Sequence, residues 1–280
     1  MHRLLLIIAA VVISAQVFAP AAAPVPDGNV VDAELDRLVS EFINQYRLNE
    51  YSFSFAYYNT VTGETYLYNE HKLMLAASIY KLPLALYYYD RIEDGSANLD
   101  RSYAGHSLEN ALRLSLQYSD NEAALAMFNS IGRFADYTNA LLEYMAVPAE
   151  ERGLRTFNDN RYSALEVLNI LKHLYNNSDK YPDAIEHLKA ASPGTYFKRY
   201  VFDYEIAQKY GFLFSEEDRP VIANAAGIVY TPTPYLLAVF TSGKGGEVVS
   251  RLNEMLCEYT VKKHTRAIVV YIPWKIDQPM

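Results

Sequence analysis

The apolar residues of this chain switch repeatedly between helical and strand-like spacing, and this order of switches limits the possible folds. Residues 30 to 47 carry apolar side chains at helical spacing, with acidic residues between them, which predicts an amphipathic helix. An alternating, aromatic-rich run over residues 51 to 59 follows. A turn at Thr62-Gly63 and a returning run over residues 65 to 68 then complete a predicted β-hairpin.

A long helical block follows the hairpin, and strand-like runs return after it. Helices are predicted over residues 78–94, 108–118, 122–131, 137–144 and 164–175. Strands are then predicted over residues 203–210, 221–230 and 235–241, a helix over 247–263, and an additional edge strand over 268–274. Since strands flank the helical block on both sides, the chain ends should build one sheet together.

The predicted fold is therefore of the α/β (α+β) class, with an antiparallel sheet flanked by terminal helices and an all-helical subdomain inserted into it. The sheet subdomain is expected to comprise residues 27–77 and 193–280. The inserted helical subdomain is expected to comprise residues 78–192.

The first 23 residues are typical of a secretory signal peptide. Met1-His2-Arg3 precedes an apolar run from Leu4 to Ala19, and small residues follow. An uncleaved membrane anchor is the alternative, but the run is shorter than the roughly 20 residues that a membrane span prefers. We expect an exported, extracellular or cell-envelope protein that contacts a membrane only if the leader is retained.

Charge and metal-ligand composition narrow the function classes. The chain has 25 basic and 33 acidic residues, a net charge of -8, which disfavours a nucleic-acid partner. The six histidines are dispersed, so neither a metal nor another cofactor is expected. The single cysteine, Cys257, excludes an intrachain disulfide and is interpreted as a small buried apolar residue. A monomer is expected.

One candidate catalytic motif opens the helical block. Ser78 and Lys81 form a Ser-x-x-Lys motif, and a spacing of three places both on one face of a helix. A serine hydroxyl needs a base to become a nucleophile, and a desolvated lysine can serve as that base. Alone the motif is weak, because Ser78 could equally be a helix N-cap.

Two further motifs, each taken alone, can be explained by ordinary structural roles. Ser119-Asp120-Asn121 lies between two predicted helices, where such residues are favoured as caps. Lys209-Tyr210-Gly211 closes a predicted strand, and its glycine would leave room for an extended ligand beside the strand.

In this order and in these contexts, the three motifs resemble the signature of class A β-lactamases and penicillin-binding proteins. The resemblance extends over residues 30 to 264 and implies the β-lactamase-like fold. It also implies roles in a serine acyl-enzyme mechanism. Those roles are Ser78 as nucleophile, Lys81 as its activating amine, Ser119 as proton shuttle, Asn121 as substrate-amide contact, Lys209 as carboxylate partner, and the backbone N–H groups of Ser78 and Phe212 as oxyanion hole.

Two departures from the family pattern affect the expected activity. Tyr210 occupies a position where the family has Thr or Ser to hold the substrate carboxylate. In addition, no complete Glu-x-x-Leu-Asn loop, which supplies the deacylating base of β-lactamases, is present. Glu150 and Glu151 are the nearest candidates, while Glu166 is more simply a residue of a helix first turn.

The resemblance thus implies an exported serine hydrolase that acts on β-lactams or on D-amino acyl cell-wall peptides, with slow deacylation. Tyr210, Gly211 and Phe212 are expected to line the substrate site together with Asn121 and Lys209. A D,D-peptidase is the alternative within the enzyme class. A catalytically weak relative that binds cell-wall peptides or a protein is the alternative outside it.

Overall fold

The computed structural model describes residues 32–132, 134–148, 150, 160–214 and 220–270. Its centre is an antiparallel sheet of order β2-β1-β7-β6-β5. The strands are β1 (Phe53–Asn59), β2 (Thr65–Tyr68), β5 (Ile206–Phe214), β6 (Pro220–Val229) and β7 (Tyr235–Thr241), and a separate pair is formed by β3 (Met74–Leu75) and β4 (Arg161–Tyr162). The helices are α1 (Ala33–Gln45), α2 (Lys81–Glu93), α3 (Leu108–Gln117), α4 (Asn121–Ser130), α5 (Phe134–Leu142), α6 (Ala164–Asn176), α7 (Pro182–Ala190) and α8 (Gly246–Val270).

The predicted fold class is confirmed, because the N-terminal hairpin joins the C-terminal strands in one sheet. β1 pairs with β7 from Phe53 opposite Thr241 to Asn59 opposite Tyr235. β5, at the sheet edge, pairs with β6 and places Gly211 opposite Asn224. The division of the chain at residues 77/78 and 192/193 remains a prediction.

Apolar side chains cover both faces of the sheet. On β1, Ala56 packs into a core shared with the helices between residues 79 and 188. Its neighbours Phe55 and Tyr57 pack into a second core with α1 and α8, which includes Leu35 and Leu252. Because successive strand residues face opposite sides, one strand contributes to both cores. The sheet therefore lies packed between two helical layers.

The C-terminal edge strand predicted over residues 268–274 is wrong where the structure describes it. α8 continues to Val270, so residues 268 to 270 are helical, and residues 271 to 274 lie outside the described residues. The apolar run there carried no signal that distinguished a strand from the end of a long helix.

The predicted leader, residues 1–23, lies outside the described residues. Among the helices of the described part, none combines the length and the apolar character required to cross a membrane.

Candidate active site

Ser78 lies in a short 3-10 helix, Ala77–Tyr80, directly before α2. The preceding Ala77 has a positive φ of 49°, a conformation that residues other than glycine seldom adopt. Two asparagines hold this segment: Asn160 Nδ2 donates to Ala77 O at 2.9 Å, and Asn224 Nδ2 donates to Leu75 O at 2.8 Å. The half-buried Ser78 therefore sits on a backbone fixed from both sides.

Lys81, the first residue of α2, is fully buried and faces the loop between α3 and α4. Its Nζ donates to Ser119 O at 2.6 Å and to Asn121 Oδ1 at 2.7 Å, and lies 3.4 Å from Ser119 Oγ. Burial lowers the pKa of Lys81 to about 8, although the charge of Asp120 acts in the opposite direction. With a pKa of about 8, roughly a tenth to a fifth of this amine is neutral near physiological pH, and the neutral form is the one that a general base requires.

The capping role considered for the second motif belongs to Asp120, whose side chain accepts from Ala123 N at 2.8 Å. Ser119 has a positive φ of 59°, and its hydroxyl points to the lysines. Asn121 is exposed except for its contact with Lys81. Asp120 thus caps the start of α4, while its neighbours Ser119 and Asn121 contact Lys81 in the candidate site.

Lys209 brings the third motif to the same hydroxyl. Its side chain is fully buried, and its Nζ donates to Ser119 Oγ at 2.9 Å and to Tyr210 O at 2.9 Å. Burial, together with the nearby charge of Lys81, holds the pKa of Lys209 well below its usual range. The structure therefore places Ser119 Oγ between two lysine amines.

Gly211 allows β5 to approach the Ser78 segment. A Cβ at this position would lie 2.8 Å from both Ser78 N and Ala76 O, so a larger residue would force the two segments apart. The next residue on the strand is Phe212, which is exposed. The pairing of the Ser78 and Phe212 N–H groups as an oxyanion hole remains a prediction.

The Tyr210 hydroxyl is already engaged in a hydrogen bond within the protein. Its Oη donates to Tyr118 O at 3.3 Å, and its ring lies 4.3 Å from Lys209 Nζ. The ring also stacks between those of Tyr196 and Phe212. The sequence marked Tyr210 as a departure but gave no sign of this aromatic stack.

The deacylation candidates are only partly described. Glu150 is exposed, and Glu151 lies outside the described residues. Glu166 forms a capping box with Ser163: Ser163 N donates to Glu166 Oε2 at 2.8 Å. Its carboxylate therefore serves the start of α6, in line with the simpler interpretation.

Asn160 and Asn224 were missed by the sequence analysis, since neither lies in a recognisable motif. Cys257 is buried in the second core, and burial raises the pKa of its thiol to about 11. Such a thiol is a poor nucleophile. No group of three or more His, Cys, Asp or Glu side chains suited to a metal ion occurs among the residues that the structure describes.

A hydroxyl one turn from a buried amine, with a second hydroxyl between two lysines, supplies the groups that lysine-assisted acylation of a serine requires. The chain belongs to the beta-lactamase enzyme family, whose model its sequence matches over residues 33–255.

Solved structures of low sequence identity share the fold. A beta-lactamase from Chitinophaga pinensis is 18% identical, with a TM-score of 0.67 over 81% of this chain and 99% of that chain. A beta lactamase from Burkholderia vietnamiensis is 17% identical, with a TM-score of 0.67 over 83% and 98% of the two chains. A PBP-A mutant, in an acyl-enzyme complex with penicillin G, is 14% identical, with a TM-score of 0.68 over 81% and 97%. No curated protein sequence matches.

Proposed function

We propose that this protein is an exported serine acyl-enzyme hydrolase in which Ser78 is acylated by a β-lactam or a D-amino acyl cell-wall peptide. The observation that carries the proposal is the buried network in which Lys81 and Lys209 both approach Ser119 Oγ beside the Ser78 segment. Burying two amines costs free energy unless they are well paired, and a functional requirement would explain why both are kept at this position. Export rests on the leader sequence.

In the proposed acylation, the hydroxyl oxygen of Ser78 attacks the substrate carbonyl and neutral Lys81 accepts its proton. The resulting oxyanion would be stabilised by the N–H groups of Ser78 and Phe212. When the C–N bond breaks, the Ser119 hydroxyl gives its proton to the leaving nitrogen and is reprotonated from protonated Lys81. Lys81 thus ends neutral, and the products are an ester at Ser78 and a free amine.

Hydrolysis of that ester is proposed to be slow. The water that attacks it must be deprotonated and aimed, and a missing general base costs about 10²- to 10⁴-fold in rate. Glu166 is bound to the start of α6, and Glu150 is exposed. Lys81 is then the remaining candidate base among the described residues, and a β-lactam adduct should persist for minutes or longer.

A D,D-peptidase is the second candidate, because no deacylating glutamate is assigned: Glu166 caps the start of α6 and Glu150 is exposed. The departure at Tyr210, whose Oη donates to Tyr118 O, would instead suit a weakly catalytic relative that binds cell-wall peptides or a protein through this cleft. The intact hydrogen-bond network of Lys81, Lys209 and Ser119 favours a working enzyme.

A time course of intact mass distinguishes stable acylation from turnover and from no reaction. The purified protein is incubated with benzylpenicillin, and protein mass and substrate concentration are followed together. The proposal predicts a lasting mass increase equal to one penicillin, with little substrate consumed beyond one equivalent. Fast multiple turnover would establish a true β-lactamase, and an unchanged mass would favour the binding relative.

A further inference from the structure

A row of aromatic side chains follows the edge strand β5 beside the candidate nucleophile. Tyr210, Phe212 and Phe214 alternate along the strand and so share a face, and Tyr196 packs on the far side of Tyr210. The ring centroids are separated by 5.5, 6.3 and 4.8 Å in the order Tyr196, Tyr210, Phe212 and Phe214. We call these four residues the aromatic row.

The aromatic row is continuous with the acylation site. Gly211, whose backbone meets Ser78 N, lies between Tyr210 and Phe212. Phe212 is 40% exposed and Phe214 is 57% exposed, although both are large apolar side chains. Because Phe212 directly follows Gly211 on β5, an acyl donor bound at Ser78 would lie beside this ring and would cover apolar surface that is otherwise in water.

Strand β5 presents few available hydrogen-bond donors to a substrate carboxylate. Lys209 is fully buried, its Nζ donates to Ser119 Oγ and Tyr210 O, and the Tyr210 ring lies 4.3 Å from it. The Tyr210 hydroxyl is itself directed to Tyr118 O. A carboxylate here would lose hydration and would face aromatic rings, whose faces carry negative charge.

Building on the proposed function, we propose that the aromatic row selects acyl donors that are apolar and uncharged next to the scissile bond. In cell-wall chemistry these are internal amides, in which the chain continues beyond the leaving nitrogen, or donors whose terminal carboxyl is masked. Chain-terminal D-amino acids with a free carboxylate are the disfavoured class. Tyr210 is the residue that determines this choice, and Phe212 provides the apolar contact.

The test compares benzylpenicillin with its methyl ester, which differ only in the carboxylate. Second-order rate constants for acylation are measured by intact mass for the unmodified protein, Tyr210→Thr and Tyr210→Phe. We expect the unmodified protein and Tyr210→Phe to react with the methyl ester at least as fast as with the free acid. In Tyr210→Thr, the rate constant for the free acid divided by that for the methyl ester should rise about tenfold. This is the factor expected from one charge-assisted hydrogen bond to the carboxylate.

The apolar contact is tested with penicillins that carry a phenylacetyl or an acetyl side chain. Phe212→Ala should reduce the preference for the phenylacetyl compound by about threefold to tenfold. Phe202→Ala is the control, because Phe202 is 79% exposed and does not belong to the aromatic row. An equal effect of both substitutions, or none from Phe212→Ala, would overturn the role of Phe212.

Acylation of the unmodified protein that is tenfold faster with the free acid would overturn the selectivity, while leaving the proposed function intact. Acylation by neither form in any folded variant would overturn the proposed function, and this inference with it. Thermal melting of each variant identifies those that have lost their fold, and Tyr210→Phe keeps the ring in place if Tyr210→Thr unfolds.

Discussion

Burial of Lys81 is what turns an ordinary helix residue into a candidate base. Its amine has no exposed surface, and its hydrogen bonds go to Ser119 O and Asn121 Oδ1. These acceptors position the amine, while burial lowers its pKa to about 8. Position and basicity therefore have separate causes, and each can be tested.

The first prediction concerns pH. A general base acts only when it is unprotonated, so the acylation rate constant should rise with pH as Lys81 loses its proton, with a midpoint near a pKa of about 8. The measurement is the rate of adduct formation by benzylpenicillin between pH 6 and 9. A flat profile over this range would mean that Lys81 is not the base.

The second prediction is that Lys81→Ala slows acylation by about 10²- to 10⁴-fold, the usual value of general-base assistance. Lys172→Ala is a matched control, since burial also lowers the pKa of Lys172, which instead stacks on Tyr58. Stopped-flow or quenched mass measurements give both rates. Equal rates for the two variants would assign the proton transfer to another group.

At the scale of the elements, the contact between β5 and the Ser78 segment decides whether the site forms. Gly211 permits this contact, and Asn224 Nδ2, opposite it on β6, donates to Leu75 O and Ala76 O. The segment is thus fixed by a strand edge and by a side chain from the next strand. Neither feature involves a reacting atom.

The third prediction follows from this contact. Gly211→Ala should lower the acylation rate by about 10²-fold, because displacements near 1 Å at a reacting centre have effects of this size. It should also destabilise the fold by about 1–3 kcal/mol through overpacking. Gly246→Ala is the control, because a Cβ there meets its nearest neighbour at 3.6 Å. If the acylation rate and the melting temperature of Gly211→Ala match those of Gly246→Ala, then β5 accommodates the added Cβ without displacing Ser78.

Long periodic elements were predictable from the sequence, whereas short or non-local ones were not. β7 and α6 match their predicted positions within two residues at each end, because their apolar spacing is clear. α7 was missed: it spans only Pro182–Ala190 and buries just Ala184, Ile185 and Leu188. The β3–β4 pair joins two-residue strands across a long stretch of sequence, and so has no periodic signal.

The candidate site was likewise predictable only where a local sequence pattern marks it. The three motifs indicated which side chains would meet, and the structure brings Lys81, Ser119 and Lys209 together. The support from Asn160 and Asn224 and the stacking of Tyr210 depend on tertiary contacts that no local pattern records. The positive φ at Ala77 is likewise imposed by the surrounding structure.

At the scale of the whole molecule, the two cores hold the sheet between helical layers, while the candidate site forms where the edge strand β5 meets the short 3-10 helix before α2. This architecture orders the acylation groups through buried contacts. The acylation side of the proposed mechanism is therefore supported by rigid elements. Deacylation depends on an additional base, and none is assigned.

The fourth prediction concerns that second step. A benzylpenicillin adduct should persist for minutes or longer, because no dedicated base for the attacking water is assigned among the residues that the structure describes. The decay of the adduct is followed by mass after removal of free penicillin. If Glu150 or Glu151 does serve as the base, Glu150→Gln or Glu151→Gln would convert a fast enzyme into one that accumulates the adduct. Rapid turnover that survives both substitutions would contradict this account of deacylation.

The most direct test of the central claim is covalent labelling by a fluorescent penicillin, read by intact and peptide mass. The unmodified protein and Cys257→Ala should label equally, because the Cys257 thiol is buried and its pKa is raised to about 11. Ser78→Ala should not label at all, and the mass increase in the unmodified protein should map to the peptide that contains Ser78. Labelling that survives Ser78→Ala, or that maps to another residue, would contradict the assignment of Ser78 as the nucleophile.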